Sequence, residues 1–414
     1  MNNHSKRRDE LPMGKHASFP TWPVCAADEC EAALRVLRSG LLNYWTGSEG
    51  REFEREFADS VCCAYAVAVA NGTVALELAL HALGISPGDE VIVPSRTFVA
   101  TAMAVVRVGA VPVFADVDRV SQNITAESIE AQLSPRTRAV IVVHLAGWPA
   151  DMNPIMILAR DHHLAVVEDC AQAHGARYQG RPVGSIGDVG TYSFCQDKTL
   201  TTAGEGGMLV SNRRDVWERA WSFKDHGKGY DAVYYRQHAL GFRWLHESIG
   251  TNWRLTEVQS AIGRVALRKL DKWVSKRRRN AALLQEHFTS LPGLRTTVPS
   301  AEFFHSYYKC YAFVRPERIA PDWSRDRILG EINAAGVPCF AGSCSEIYLE
   351  QAFPREWRPR QRHPVARELA DTSLMFLVHP TLKRKHLAAM CKVLRKTMKL
   401  ATRPTGKAKR LSAA

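Results

Sequence analysis

From about Val61 onwards, short apolar runs alternate with stretches of helical period. Residues 66–70 read as a strand, and residues 74–83 as a helix with Leu76, Leu80 and Leu83 on one face. Glu90–Pro94 predicts a second strand, followed by a helix over 101–108. Further strands are predicted at Val111–Ala115, 139–144, 164–168 and 189–194. Their apolar positions run continuously rather than alternating, which suits strands covered on both faces. Strand and helix in turn imply an α/β fold with a mostly parallel sheet and right-handed crossovers.

The pattern changes after Gly207. Residues 224–244 are polar and rich in Gly and aromatics, and read as a loop or hairpin excursion. A long helix is predicted over 256–289, carrying Val258, Ile262, Val265, Leu267 and Leu270. Beyond it, a strand over 311–315 and a helix around 326–335 predict a smaller α+β unit. The expected organisation is an N-terminal tail over 1–20 and a large α/β domain over 21–255. A linking helix with a small C-terminal α+β domain follows over 256–400, then a basic tail over 401–414.

Composition narrows the class. The chain has 414 residues, 46% hydrophobic and 23% charged, which is enough to build a large core and more than one domain. Residues 1–16 are polar, unlike a secretory signal, and the longest apolar runs, such as 139–143, are too short to cross a bilayer. A soluble cytoplasmic protein is expected. None of the ten cysteines forms a C-x-x-C pair, so free thiols are expected rather than a disulfide framework. His162-His163 lack a third ligand at metal spacing, and no metal is expected. The net charge of +13 gathers partly at Lys6-Arg7-Arg8 and from Lys392 to Arg410. No nucleic-acid-binding pattern accompanies it, and solvated tails with attraction for anionic substrates explain it. Neither a nucleic acid nor a membrane partner is expected.

Four places carry candidate chemistry. Lys198 lies just past a strand, between Ser193 and the turn Gly204-Glu205-Gly206-Gly207. An amine held in a tight loop loses solvent, which favours the neutral form that attacks aldehydes; the plain alternative is a surface lysine. Asn71-Gly72-Thr73 sits where a strand ends and a helix begins, an anion site or a simple N-cap. Asp169 emerges at the carboxyl end of a buried strand, where α/β proteins collect ligands. There it pairs with a ligand cation or caps the following turn, with Gln172 and His174 in reach of the same ligand. Phe98 is placed to stack on a planar ring or to fill a core.

Taken in order, these segments resemble the DegT/DnrJ/EryC1/StrS family of pyridoxal-phosphate-dependent sugar aminotransferases. The matching blocks begin with Asn71-Gly72-Thr73-Val74-Ala75-Leu76 and Gly88-Asp89-Glu90-Val91-Ile92-Val93-Pro94, then Thr97-Phe98-Val99-Ala100-Thr101. Further blocks are Glu168-Asp169-Cys170-Ala171-Gln172-Ala173-His174-Gly175, the Lys198 loop, and Gly250-Thr251-Asn252-Trp253-Arg254-Leu255-Thr256-Glu257-Val258-Gln259. The likeness implies an aspartate-aminotransferase-like large domain with a central, mostly parallel seven-stranded sheet.

The resemblance also implies roles. Lys198 would form the Schiff base with pyridoxal 5′-phosphate and move the proton. Asp169 would hold the pyridine nitrogen, Gln172 the ring hydroxyl, and Phe98 would stack on the ring. Gly72, Thr73 and Ser193 would bind the phosphate, with Asn252 reaching it from a second subunit of a homodimer. L-glutamate would be the donor, pyridoxamine phosphate the carrier, and a nucleotide-linked keto sugar the acceptor. A histidine at the lysine position would mark dehydration instead, and this chain has Lys198 there. Ala203, which extends the lysine-to-glycine loop, and the basic C-terminal segment depart from the family pattern. A keto-cyclitol acceptor, or a regulator without catalysis, are the competing expectations.

Overall fold

The computed structural model describes residues 19–402. The apolar runs form a seven-stranded sheet ordered Tyr65–Val69, Gly207–Ser211, Val189–Ser193, Ala165–Asp169, Thr137–Val143, Glu90–Pro94, Val111–Ala115. Gly207–Ser211 runs antiparallel to both its neighbours, and the remaining pairings are parallel. Successive side chains on a strand point to opposite faces. Val67, Val69 and Leu209 accordingly join one core with the helices Gly72–Ala82 and Arg214–Phe223, while Ala66, Ala68 and Met208 join Phe53, Phe57 and Phe194 in another. Layers on both faces explain why these strands carry no polar alternation.

Thr256 caps a 33-residue helix, Glu257–Thr289, by accepting the Gln259 amide at 3.3 Å. A helix of that length reaches about 50 Å. Its first half packs Ala266 against the sheet core, and its second half packs Ala281, Leu284 and Phe288 into a separate core. That second core covers a four-stranded antiparallel sheet ordered Leu294–Arg295, Cys310–Val314, Ser373–Phe376, Cys339–Phe340, with the helices Arg325–Ala334 and Arg384–Ala401 contributing Ile328, Ile332, Leu394 and Met398. A three-stranded ribbon, Phe303–Phe304 with Arg177–Tyr178 and Arg181–Pro182, completes the strands.

Two N-terminal helices, Ala27–Ser39 and Glu49–Ser60, were not expected from the pattern. Glu49–Ser60 is mostly charged and buries Phe53 and Phe57 at helical spacing, a face too narrow to stand out in the sequence. Both pack against the long helix, where Arg264 meets Glu49 at 2.7 Å and Lys269 meets Asp28 at 2.6 Å. The expected excursion leaves at Asp225 and returns through the bridges Lys228–His246 and Asp225–Asn252, with one helical turn, Tyr230–Tyr234, on the way. Lys392 to Lys399 belong to the helix Arg384–Ala401, and the tail expected over 401–414 lies outside the described residues beyond Thr402. The expected tail over 1–20 also lies outside them up to residue 18, and Phe19 packs on His386 with ring centroids 5.6 Å apart.

Candidate active site

The loop after Val189–Ser193 is folded back on itself. Phe194 donates its amide to Gly206 at 2.7 Å and accepts the Thr202 amide at 3.2 Å, and Lys198 donates its amide to Cys195 at 3.0 Å. This fixes the backbone that carries Lys198. The Lys198 side chain is half-buried, with Nζ 5.1 Å from the ring centre of Tyr308. Four residues close a ring around it. The Trp22 indole donates to the Lys198 carbonyl at 2.8 Å, and the Tyr308 hydroxyl donates to Asp197. Arg277 donates to the Tyr308 carbonyl at 3.1 Å and lies 5.0 Å above the Trp22 ring. Burial pushes the Arg277 guanidinium down to about 10, and its Nε and Nη2 have no partner among the described residues.

Asp169 ends the strand Ala165–Asp169 and is buried. It accepts the Thr101 hydroxyl at 2.9 Å and the Ala171 amide at 3.1 Å. Burial pushes its carboxyl up, while the Ala171 amide, the Thr101 hydroxyl and the charge of Lys198 pull it back. The Lys198 amine is thus near enough for its charge to favour the ionised Asp169 carboxyl. Its neighbour Glu168 points to the opposite face, where it takes the amides of Gly184, Ile186 and Gly187 at 2.7–2.8 Å and His144 at 3.0 Å. His144, Glu168 and Cys170 are the one His, Cys and acid cluster of metal-ligand proximity among the described residues, and Glu168 is already satisfied.

The other expected residues divide clearly. Asn71 caps the helix Gly72–Ala82, its side chain accepting the Val74 amide at 3.0 Å and its carbonyl the Ala75 amide at 3.2 Å. The amides of Gly72 and Thr73 remain without a partner among the described residues, at the positive end of the helix. A Cβ on Gly72 would stand 2.5 Å from that of Ser193, so glycine is what lets this turn approach the Ser193 hydroxyl. Gln172 is buried, and its oxygen accepts the Ala146 amide at 2.9 Å. Phe98 is 64% exposed, one residue from Thr97, whose hydroxyl meets that of Thr101 at 3.0 Å. Asn252 is exposed and separate from this group, although Trp253 beside it accepts the Ala70 amide at 2.9 Å. His174 lies away from solvent against Tyr192 and Phe194, and burial pushes it down to about 3.

Sequence reasoning missed Thr101, Trp22 and Arg277. Thr101 stands four residues after Thr97, a helical spacing that was visible but lacked a partner to name. Trp22 and Arg277 reach the site only through the fold.

These residues fit pyridoxal phosphate on their own chemistry. Two free helix-start amides and a serine hydroxyl suit a phosphate. An exposed aromatic face suits a flat ring, and a buried carboxylate short of a cation suits a protonated ring nitrogen. Two cavities of about 570 and 290 Å³, lined respectively by His81, Phe223 and Ile249 and by Tyr44, Trp217 and Tyr234, contain none of these residues.

Arg96 and Thr97 are fastened to a distant loop. The buried Arg96 guanidinium donates to the Ser343 carbonyl at 3.2 Å, to the Ser345 hydroxyl, and to the Ser373 hydroxyl at 2.9 Å. The Thr97 amide donates to the Cys344 carbonyl at 3.1 Å.

Among proteins of known activity, the chain is similar to GDP-perosamine synthase of Escherichia coli O157:H7, 35% identical over 84% of this chain and 90% of the relative. It is 38% identical to dTDP-3-amino-3,4,6-trideoxy-alpha-D-glucose transaminase of Streptomyces venezuelae, over 86% of this chain and 88% of that protein. Among solved structures, the aminotransferase from Psychrobacter cryohalolentis superposes with a TM-score of 0.90 at 50% identity, covering 92% of this chain and 99% of that one. The family model described as the DegT/DnrJ/EryC1/StrS aminotransferase family matches residues 23–395. With residues 23–395 matched and relatives 35–38% identical over most of their lengths, this chain is a member of the DegT/DnrJ/EryC1/StrS family of pyridoxal-phosphate-dependent aminotransferases.

Proposed function

We propose that this enzyme moves an amino group from L-glutamate to a keto sugar carried on a nucleoside diphosphate, for amino-sugar biosynthesis. The observation that carries the reading is that the folded Lys198 loop, the buried Asp169 held by Thr101, and the unpartnered helix-start amides of Gly72 and Thr73 all stand at strand ends of one sheet. The names of the relatives, a GDP-perosamine synthase and a dTDP-amino-sugar transaminase, support the acceptor class.

When bound, the cofactor supplies an electron sink for the carbanion left by removal of the donor's α-proton. The chain supplies the rest. Gly72, Thr73 and Ser193 hold the phosphate through two amides and a hydroxyl. The Asp169 carboxylate, oriented by Thr101 and Ala171, holds a proton on the ring nitrogen. Phe98 would lie against one face of the ring, and Gln172 would meet its hydroxyl. The Lys198 amine would take the donor's α-proton at Nζ and return it on the reacting side. Tyr308 and Asp197 give that amine a resting place between the two transfers.

In this reading Asn252 completes the phosphate site from the second subunit of a homodimer, and the enzyme works in the cytoplasm. The exposed Phe242 and Trp244 on the 224–250 excursion support a covered surface there, since large apolar patches mark contacts. The two cores are read as two domains, over 21–255 and 256–400. Incubating the enzyme with glutamate and a panel of keto-sugar nucleotides, with product masses followed, tests the assignment. Formation of an amino-sugar nucleotide with equimolar 2-oxoglutarate supports it, and turnover of glutamate without any amino-sugar product overturns it.

A further inference from the structure

The charge of this protein is concentrated in one place. The sequence carries 55 Lys and Arg against 42 Asp and Glu, and residues 372–414 hold eleven of the former and none of the latter. Without that stretch, 44 cations face 42 anions, and the molecule is close to neutral. Seven of the eleven fall on Lys383 and the helix Arg384–Ala401.

The helix sorts its residues sharply. Leu387, Met390, Leu394 and Met398 are buried in the core beneath. Lys385, Lys392, Lys396 and Lys399 are all exposed. Their spacing of 7, 11 and 14 residues from the first sets them in one row, within an arc of about 60° and over about 21 Å of helix. Acids on the elements nearby turn to other partners: Asp326 pairs with Arg325 at 2.6 Å and Asp322 with Arg327 at 2.7 Å. Glu331 on the helix Arg325–Ala334, and Glu286 on the long helix beside the His287 that meets Arg395 at 3.3 Å, are the remaining carboxylates on the parts packed against it.

Such a row is unfavourable by itself. Lys392–Arg395, Lys392–Lys396, Arg395–Lys399 and Lys396–Lys399 are like charges three or four apart on a helix, and each pair costs stability. A polyanion bound across the row would remove that repulsion. The residues between the lysines say which kind. Ala388 is exposed, and Leu400, 60% exposed, sits beside Lys396 and Lys399. The face carries no aromatic for base stacking and no amide or hydroxyl for base edges, the groups a nucleic acid requires. Straight rows of lysine with an apolar residue among them suit a lipid headgroup plane.

We propose that the Lys385–Lys392–Lys396–Lys399 face docks this enzyme peripherally on an anionic lipid surface. The test uses the full chain, with sedimentation on vesicles of phosphatidylcholine alone and of phosphatidylcholine mixed with phosphatidylglycerol. Binding to the mixed vesicles only, weakened by added salt, is the expected result. Replacing the four lysines by glutamine weakens it by about fivefold for each charge removed, and leaves transaminase turnover unchanged. Equal binding to both vesicle types, or undiminished binding by the four-fold variant, overturns the proposal. So does preferential, salt-sensitive capture by a single-stranded oligonucleotide in competition with the mixed vesicles.

Discussion

The indole nitrogen of Trp22 donates a hydrogen bond to the backbone carbonyl of Lys198 across 2.8 Å, joining residues 176 positions apart. The same indole carries the guanidinium of Arg277 on its face, and Arg277 in turn holds the carbonyl of Tyr308, over whose ring the Lys198 amine rests. Lys198 is thus located from both its main chain and its side chain. Trp22→Phe keeps an aromatic under Arg277 and deletes the hydrogen bond. A loss of about 1 kcal/mol in positioning follows. It is expected as a roughly fivefold fall in kcat with KM for glutamate little changed, read by steady-state kinetics.

Tyr308→Phe keeps the ring beneath Lys198 and frees Asp197. Asp197 keeps Lys309, 3.5 Å away, as its charged partner, while the ring beside the Lys198 amine loses the hydroxyl contact that fixes it. A fall in kcat of about fivefold with KM for glutamate little changed is expected, and parent-like kinetics remove Tyr308 from the positioning of Lys198.

Lys198→Ala deletes the group proposed to move the α-proton. Turnover falls by about a thousandfold or more, in keeping with the worth of a positioned acid–base. Borohydride reduction followed by peptide mapping places the cofactor adduct on Lys198 in the parent, and on no residue in the variant.

Asp169→Asn removes a buried carboxylate whose ionisation burial opposes. The fold therefore persists, with thermal unfolding of the cofactor-free protein unshifted or raised, while turnover drops by about a hundredfold. Thr101→Val, which deletes the hydroxyl that orients Asp169, gives a smaller loss of about tenfold. Parent-like turnover in Asp169→Asn excludes the carboxylate from the reaction.

Acid sensitivity follows from buried imidazoles. His174 and His305 are pushed by burial from an ordinary value near 6.5 to about 3. A group depressed on folding contributes stability above its unfolded value and loses it as pH falls through the folded one. The cofactor-free protein is thus expected to lose stability progressively from pH 6.5 towards 3. His305→Gln flattens that slope, as measured by denaturant titration at several pH values.

Six of the seven sheet strands were legible because burial on both faces leaves runs such as 139–143 uniformly apolar, whereas Gly207–Ser211 was not read as a strand; the long helix was legible because Thr256 and Gln259 announce its start. Lys198, Asp169 and Gly72 could be singled out since each stands at a strand end or helix start, where backbone geometry limits what a residue can do. Glu168 shows the limit of that reasoning. Only the alternation of strand faces separates it from Asp169, and that becomes visible once the amides of Gly184 to Gly187 are seen to enclose it. Trp22 and Arg277 carry no local pattern at all, since their meaning arises from contacts made across the whole chain. The helix Arg384–Ala401 went unread for a different reason: charge masks the narrow stripe of Leu387, Met390, Leu394 and Met398 that makes the segment helical.

The grip of Arg96 and Thr97 on residues 343–345 has a mechanical meaning. Phe98 follows directly after the anchored pair, so it cannot hold still while the loop that grips its neighbours shifts. A displacement of residues 343–345 is carried through two adjacent residues to the exposed Phe98 ring, which ties that ring's position to the strand Cys339–Phe340 from which the loop departs.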